Sequence, residues 1–229
     1  MEAAKGRDDA QAPVELGPLP AGRHGYSREQ IAHSQRERLI AAFAGAVAEH
    51  GYADTTLTHI TTAAHVSRRA FYENFADKEA CFLAAFDIIV DHLRKVMEEA
   101  GEGAPDWAHR VVAAIRAALR FLASEPQLAR LCLVESVTTT PAIAARYREA
   151  ILSFVPSLRQ GRRERVESRE LPESTEDSLI GASASMISRQ IAAGGADRLE
   201  DLAGDITAFV LSPYLGSEEA RRLAAEAPA

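Results

Sequence analysis

Apolar residues recur at steps of three and four along most of the chain, which is the spacing of one helix face and not the alternation of a strand. The first such segment covers residues 27–50, and Gly51 follows as a helix stop. The pattern leaves Arg28, Arg36 and Arg38 on the solvent side of this helix. Its inward face is formed by Ile31, Leu39, Phe43, Ala46, Val47 and His50.

Residues 51–79 predict two short helices joined by a tight turn and followed at once by a third helix. Thr55 or Thr56 can cap the first short helix, because a hydroxyl oxygen accepts an unpaired backbone N–H at a helix start. Ser67 is placed to cap the second short helix, and Asp77 the helix after it. The buried side chains are expected to be Leu57, Ile60 and Ala64 on the first helix and Phe71 and Phe75 on the second.

The remainder of the chain continues in helical segments, so the predicted fold class is all-α. A long helix is expected from Asp77 to about residue 100, and Pro156 is expected to interrupt a later one. Residues 161–173 mix both signs of charge, which indicates an exposed loop. The other helices are predicted at about 106–124, 127–138, 141–161, 174–193 and 197–215.

These segments divide the chain into two domains, a helix-turn-helix domain at residues 27–79 and a larger helical domain at residues 80–229. Residues 1–26 show no helical spacing and contain three prolines, so we interpret them as a flexible arm that ends before Ser27, the predicted cap of the first helix. Arg23 and its neighbour His24 can reach a DNA minor groove from such an arm. An ordinary tail without a DNA contact is the alternative.

The helix-turn-helix segment combines a set of residues at a specific joint spacing: Gly51, Tyr52, Thr55, Thr56, Ile60, Ala64, Val66, Ser67, Phe71, Tyr72, Phe75, Lys78 and Glu79. Through these positions, residues 30–85 resemble the N-terminal DNA-binding domain of the tetracycline-repressor (TetR) family of bacterial transcriptional regulators. Three positions depart from the family pattern: His65 replaces the usual turn glycine, Thr61 an alanine and Asn74 a frequent histidine. Histidine tolerates a positive φ better than most other residues with a side chain.

The second short helix is the candidate for reading DNA, since the first turn of a helix in the major groove lies nearest to the base edges. Arg68 and Arg69 stand in that turn, and a guanidinium group can pair with O6 and N7 of guanine. An ordinary solvated face is the alternative for two adjacent arginines. The predicted DNA-binding set also holds Ala70 against a thymine methyl, Thr56 and Ser67 at helix starts, and, as the resemblance implies, Tyr72, Asn74 and the phosphate-contacting Lys78.

Charge separates the two parts of the chain. The net charge is −7, yet residues 23–80 hold seven basic and seven acidic side chains, whereas residues 81–229 hold 17 basic and 22 acidic ones. A neutral DNA-facing part on an acidic body indicates a protein that relies on a few placed cations. The hydrophobic content of 47% is enough for a full core.

The resemblance implies a homodimer and a small-molecule effector. We expect the dimer to form through the helices near 174–193 and 197–215, because small residues between apolar ones permit close helix approach. Burial of both helices inside the monomer is the alternative. An unknown effector is expected among the helices of residues 80–160, where Met97, Trp107, Phe121, Tyr147 and Phe154 are candidate pocket residues or plain core.

The sequence indicates no catalytic residue, no cofactor and no metal site. His33, His50 and His59 lack a Cys or carboxylate at metal-ligand spacing. Cys81 and Cys132 lie in apolar segments, which favours buried thiols in a reducing compartment over redox sensors. No apolar run is long enough to span a membrane, so a cytoplasmic location is expected.

The sequence therefore predicts a sequence-specific transcriptional regulator, most simply a ligand-responsive repressor that binds a palindromic operator as a dimer. Repression is inherited from the family resemblance. The first alternative is an all-α ligand-binding protein or enzyme without a DNA function, although no nucleophile elbow, phosphate loop or HExxH motif is present. The second alternative is a helical protein whose helix-turn-helix binds another protein.

Overall fold

The computed structural model describes residues 28–137, 139–164 and 167–226, and in these ranges every regular element is helical. The arm at residues 1–26 and the cap predicted at Ser27 lie outside the described residues. The N-terminal helices are α1 (Arg28–Asp54), α2 (Leu57–Ala63), α3 (Arg68–Asn74) and α4 (Lys78–Gly101). They are followed by α5 (Trp107–Ser124), α6 (Pro126–Leu133), α7 (Pro141–Leu152), α8 (Val155–Arg159), α9 (Gly161–Glu164), α10 (Thr175–Ala192), α11 (Ala203–Leu215) and α12 (Ser217–Ala225).

Short 3₁₀ segments connect several of these helices, at Glu135–Val137, Glu167–Glu170 and Ala196–Leu202. The last of them replaces the first turns of the helix predicted at 197–215. The predicted interruption around Pro156 is confirmed, because α7 ends at Leu152 and a separate helix begins at Val155. Helix α12 was not predicted, although Glu218 and Glu219 in its first turn are a typical helix-start signal.

Aromatic rings join the helix-turn-helix to the rest of the molecule. Phe43 of α1 lies edge-on to Phe82 of α4 with ring centres 6.0 Å apart, and Tyr52 lies edge-on to Phe82 at 5.5 Å. Edge-to-face pairs at this separation are favourable beyond their buried area. The buried side chains then continue along α4 into α5, α6, α10 and α11 as one cluster. Helix α4 thus belongs to both the N-terminal and the C-terminal part of the fold.

One arginine of the segment predicted as an exposed loop takes part in a buried ion pair. Glu176 of α10 is fully buried, and its carboxylate accepts hydrogen bonds from Arg162 at 2.6 and 2.8 Å and from the hydroxyl of Tyr214 at 2.8 Å. Arg162 also donates to the carbonyl oxygens of Leu171 and Pro172. Because a buried charge must be paired, the buried Glu176 requires a cation. Arg162 supplies it, so this arginine is not one of the segment's solvated charges.

Both cysteines are buried, as predicted. Cys81 packs at the start of α4 and Cys132 in α6. Burial raises the pKa of the Cys81 thiol to about 12 and raises the pKa of Cys132 as well. Both are therefore protonated at neutral pH, which makes them poor nucleophiles.

Candidate nucleic-acid interface

The helix-turn-helix begins with a reciprocal cap at the start of α2. The Thr56 hydroxyl oxygen accepts the backbone N–H of His59 at 3.2 Å, and His59 Nδ1 accepts the backbone N–H of Thr56 at 3.3 Å. This satisfies two of the N–H groups that a helix start leaves unpaired. Of the two candidate caps it is Thr56 that serves, whereas the buried Thr55 donates its hydroxyl to the Gly51 carbonyl oxygen at 2.7 Å.

His65 forms the turn between the two helices in the left-handed conformation that the family usually gives to glycine. Its φ is 54°, its N–H donates to the Thr62 carbonyl oxygen, and the N–H of Val66 donates to the Thr61 carbonyl oxygen. These two bonds form the Schellman motif that commonly ends helices. Thr61 is another departure from the family pattern. Its hydroxyl donates to the Leu57 carbonyl oxygen at 2.9 Å, so it has a hydrogen-bond partner within the helix.

Helix α3 is fixed at its start by Ser67, whose hydroxyl oxygen accepts the N–H of Ala70 at 3.1 Å, as predicted for an N-cap. Its inward side chains are Phe71 and Ala70, and Phe71 lies 5.7 Å from Phe75 between ring centres. The outward face of α3 is therefore held at a fixed orientation by a cap at one end and by aromatic packing beneath.

That outward face presents two arginines and a tyrosine. Arg68 and Arg69 are exposed, and 60% of Tyr72 is accessible to solvent. Arg68 Nη2 donates to the Thr58 hydroxyl at 2.7 Å, and Arg69 Nε donates to Glu73 Oε1 at 2.8 Å. Surface contacts of this kind are weak, so both guanidinium groups can exchange their partners for another acceptor.

Two predicted contact residues are turned toward the protein. Ala70 is only 9% exposed, so its methyl group packs in the domain core and does not face the surface. The side-chain amide of Asn74 donates to the Ala70 carbonyl oxygen at 2.8 Å and so satisfies the end of α3. We leave both residues out of the proposed DNA-contacting face.

Lys78 is held by the end of α1. Its ammonium group donates to the carbonyl oxygens of Tyr52, Ala53 and Thr55 at 2.7, 3.4 and 3.0 Å and lies over the Tyr52 ring. Burial lowers the pKa of this lysine. A lysine has three N–H donors, so a phosphate contact from Lys78 would replace one of these bonds.

Two further arginines support the motif from α1, where the sequence pattern had placed them on the free surface. Arg36 Nη1 donates to the Asn74 carbonyl oxygen at 3.1 Å, and its guanidinium lies 4.5 Å from the centre of the Phe75 ring. Arg38 Nη1 lies 3.5 Å from the Ala64 carbonyl oxygen. The two cations thus meet the carboxyl ends of α3 and α2, where the helix dipole favours positive charge. Both arginines are half-buried, so they keep part of the surface position predicted for them and add contacts that the helical pattern did not predict.

The described residues offer neither a metal site nor a membrane span. Among them, no three His, Cys, Asp or Glu side chains are grouped to hold a metal ion. In the same part of the chain, none of the helices combines the length and the apolar content needed to cross a bilayer.

Comparison with known proteins places the motif in a family. The sequence model described as "Bacterial regulatory proteins, tetR family" matches residues 39–85, which contain α2, α3 and their flanking helix ends. The match shows that this part of the chain is similar to the DNA-binding domain of TetR-family regulators.

Solved structures of TetR-type regulators share the whole fold at low sequence identity. The fatty acid degradation regulator FadR of Bacillus halodurans is 20% identical, with a TM-score of 0.64, and the alignment covers 79% of this chain and 98% of that one. FadR of Bacillus subtilis, solved in complex with stearoyl-CoA, is 17% identical, with a TM-score of 0.62 and coverages of 78% and 97%. A TetR family transcription regulator of Marinobacter aquaeolei VT8 is 20% identical, with a TM-score of 0.59 and coverages of 78% and 97%.

Proposed function

We propose that this chain, which carries the TetR-family DNA-binding domain, is a transcriptional repressor that binds a palindromic operator as a homodimer and is released from it by a small molecule. The observation that carries the proposal is the outward face of α3. Arg68, Arg69 and Tyr72 are exposed there on a helix whose start, turn and underside are all fixed. A rigid helix with two outward arginines is suited to the major groove.

The proposed DNA contacts of the helix-turn-helix fall into two groups, those that read bases and those that bind the phosphate backbone. Arg68 and Arg69 lie in the first turn of α3 and are the proposed readers of guanine. Tyr72, one turn further along, and Thr56, exposed at the start of α2, are proposed phosphate contacts. Ser67 is also exposed at a helix start, where backbone N–H groups favour an anion.

Dimerisation is proposed through the side of α10 and α11 that faces away from the chain's own core. Leu179, Ile191, Ile206 and Val210, apolar residues of the two helices predicted to form the dimer, are buried inside the monomer. The outward side carries Phe209, a large apolar side chain that is 42% exposed. The small residues Ser178, Gly181, Ser185 and Ala192 are exposed on α10 at helical spacing beside it.

An effector is proposed to act through α4. This helix begins at Lys78, which is bonded to the end of α1, and its later residues Leu93 and Met97 line a cavity in the C-terminal part. A molecule that binds one arrangement of α4 more tightly than another would shift the population of DNA-binding dimers. The stearoyl-CoA complex of the B. subtilis FadR supports a small-molecule effector for a fold of this kind.

Selection of bound duplexes from a random DNA pool tests the proposal. At near-physiological salt, the protein is expected to recover a palindromic sequence whose half-sites lie ~34–36 Å apart, about one turn of B-DNA. Recovery of an asymmetric motif would contradict the dimer, and a pool without enrichment even at low salt would contradict DNA binding.

A further inference from the structure

A cavity of about 180 Å³ lies between α4, α5, α8, α10 and α11, and its wall is almost wholly carbon. Its lining includes Met97, Ile115, Leu119, Phe154, Ile180 and Ile187. Ser183 also lines it, but its hydroxyl donates to the Leu179 carbonyl oxygen at 2.8 Å. The cavity, which we call the apolar cavity, therefore suits an aliphatic group and offers such a group no polar anchor.

A wider cavity of about 660 Å³ adjoins it, and the two share Met97, Val111, Ala114, Phe154 and Ser157 in their walls. The lining of this second space includes the polar side chains of Arg94, Glu98, Glu102, Arg110, Ser153 and Gln160. We call it the polar mouth. A single molecule that occupies both spaces must be apolar at one end and polar at the other.

Two arginines of the polar mouth can accept an anionic end group. Arg94 lies between Asp91, at 2.9 Å, and the Ser153 hydroxyl, at 3.3 Å, and both of its partners are exposed. Arg110 is paired with Glu164 at 3.5 Å, a long contact between half-exposed groups. Weak exposed pairs of this kind are readily replaced by a better acceptor.

The two acidic residues of the polar mouth do not oppose this assignment. Glu98 and Glu102 are exposed, so their carboxylates can remain in water, whereas Arg94 and Arg110, which also line the mouth, are half-buried. Guanidinium groups bind carboxylates and phosphates with paired N–H donors. Two of them at one opening are suited to a single anionic head.

We infer that the effector is an amphiphile with an unbranched acyl chain in the apolar cavity and an anionic head between Arg94 and Arg110. Its role as an effector rests on the proposed function, but its binding does not. A free fatty acid and an acyl-CoA share this chemistry, since the first carries a carboxylate and the second a phosphate-bearing head on the same chain.

Equilibrium dialysis of labelled laurate and labelled lauroyl-CoA against the full chain tests the inference without DNA. We expect at least one of them to bind at one site per chain, and dodecanol to bind about tenfold more weakly because it has no charge for the arginines. Lengthening the chain from decanoate to laurate is expected to strengthen binding by about fourfold for each added methylene group.

The only tryptophan of the chain reports where the ligand binds. Trp107 lies in the wall of the polar mouth, with its indole N–H bonded to the Ser157 carbonyl oxygen at 2.9 Å. Ligand binding in the mouth is expected to change the Trp107 fluorescence over the same concentration range as the dialysis. Binding that leaves this emission unchanged would place the ligand elsewhere and overturn the inference.

Two variants test separately the binding of the ligand's anionic head and the binding of its acyl chain. Replacing Arg94→Gln and Arg110→Gln together is expected to weaken the binding of the anionic ligand about tenfold or more and to leave dodecanol unchanged. Ala114 lines both spaces, so Ala114→Phe fills the passage between them. This variant is expected to weaken the binding of laurate, lauroyl-CoA and dodecanol alike. Arg148→Gln, an exposed arginine on α7, is the matched control.

The results distinguish the inference from the proposed function. If neither anionic amphiphile binds, or if dodecanol binds as tightly as laurate and the double variant changes nothing, the inference is overturned. If laurate or lauroyl-CoA binds but the protein selects no sequence from the random DNA pool, the proposed function is contradicted and the inferred ligand class is supported. Preference for one of the two ligands identifies which source of the anionic head the polar mouth accepts.

Discussion

The ammonium group of Lys78 lies 4.2 Å from the centre of the Tyr52 ring and 2.7 Å from the Tyr52 carbonyl oxygen. The first residue of α4 therefore satisfies carbonyl groups at the end of α1, where the helix leaves them unpaired. A cation over an aromatic ring adds to this attachment. These contacts therefore join the start of α4 to the end of α1, next to the start of α2.

Replacing Lys78→Met is expected to lower the free energy of unfolding by about 1–3 kcal/mol, because the carbonyl groups of Tyr52 and Thr55 lose their donor. Urea denaturation measures this change. Lys95→Met, an exposed lysine of the same helix, is the control and should be nearly neutral. Unchanged stability together with a weaker salt dependence of DNA binding would instead support the phosphate contact that the family resemblance implies for Lys78.

Glu73 is expected to restrain DNA binding. Its carboxylate holds Arg69 Nε at 2.8 Å on the outward face of α3 and adds a negative charge to that face. Glu73→Gln should therefore increase the affinity for duplexes of any sequence, with the largest gain at low salt. Fluorescence anisotropy over a range of salt concentrations measures the effect. An affinity that falls in this variant would show that Glu73 itself makes a favourable contact in the complex.

Gly181 offers a test of the dimer that spares the monomer. A Cβ atom added at this glycine, which is exposed, meets no atom of the rest of the isolated chain within 4 Å. Gly181→Arg should therefore leave the fold intact while it blocks the close approach of a second copy. Sedimentation velocity is expected to show a dimer for the parent chain and a monomer for the variant. Phe209→Asp, which places a charge on the same proposed interface, is a second variant for this test. A dimer that persists in both variants would show that the interface lies elsewhere.

The Glu176 ion pair is expected to make stability sensitive to acid. Burial alone would raise the pKa of this carboxyl group, but the hydrogen bonds from Arg162 and Tyr214 outweigh burial and hold the pKa below its ordinary value of 4.5. A carboxyl group whose pKa is lowered by folding contributes stability that is fully present above its ordinary pKa. That contribution is lost as the pH falls through the lowered value.

Glu176→Gln should thus cost about 3–5 kcal/mol of unfolding free energy at neutral pH, since it leaves Arg162 without its counter-charge. It should also flatten the decline of stability below pH 4.5. Denaturation curves at a series of pH values measure both, with the exposed Glu173→Gln as control. Equal acid sensitivity in the parent and Glu176→Gln chains would contradict the lowered pKa.

Local sequence signals predicted the helix-turn-helix well. The caps at Thr56, Ser67 and Asp77 are confirmed, because an N-cap bond joins residues three positions apart and depends on few others. The positive φ expected at His65 is confirmed for the same reason. The all-α class followed from helical spacing along the whole chain.

Contacts between distant residues were not predictable in this way. Arg36 and Asn74 are 38 positions apart, and Arg162 is 14 positions from the buried Glu176 that it contacts. Helical spacing also identifies an apolar face without identifying what covers it. The faces of α10 and α11 predicted for a second copy are therefore partly covered by the chain's own core, as the burial of Ile191 and Val210 shows.

The most direct test of the account is the ratio of dissociation constants for a scrambled duplex and the selected operator. For the parent chain we expect a ratio of about 10³ or more at near-physiological salt. With Arg68→Ala and Arg69→Ala together, the ratio should fall by at least about tenfold, because the proposed guanine contacts are lost, while Arg148→Gln should leave it unchanged. A ratio that stays the same in the double variant would contradict the reading of DNA by α3.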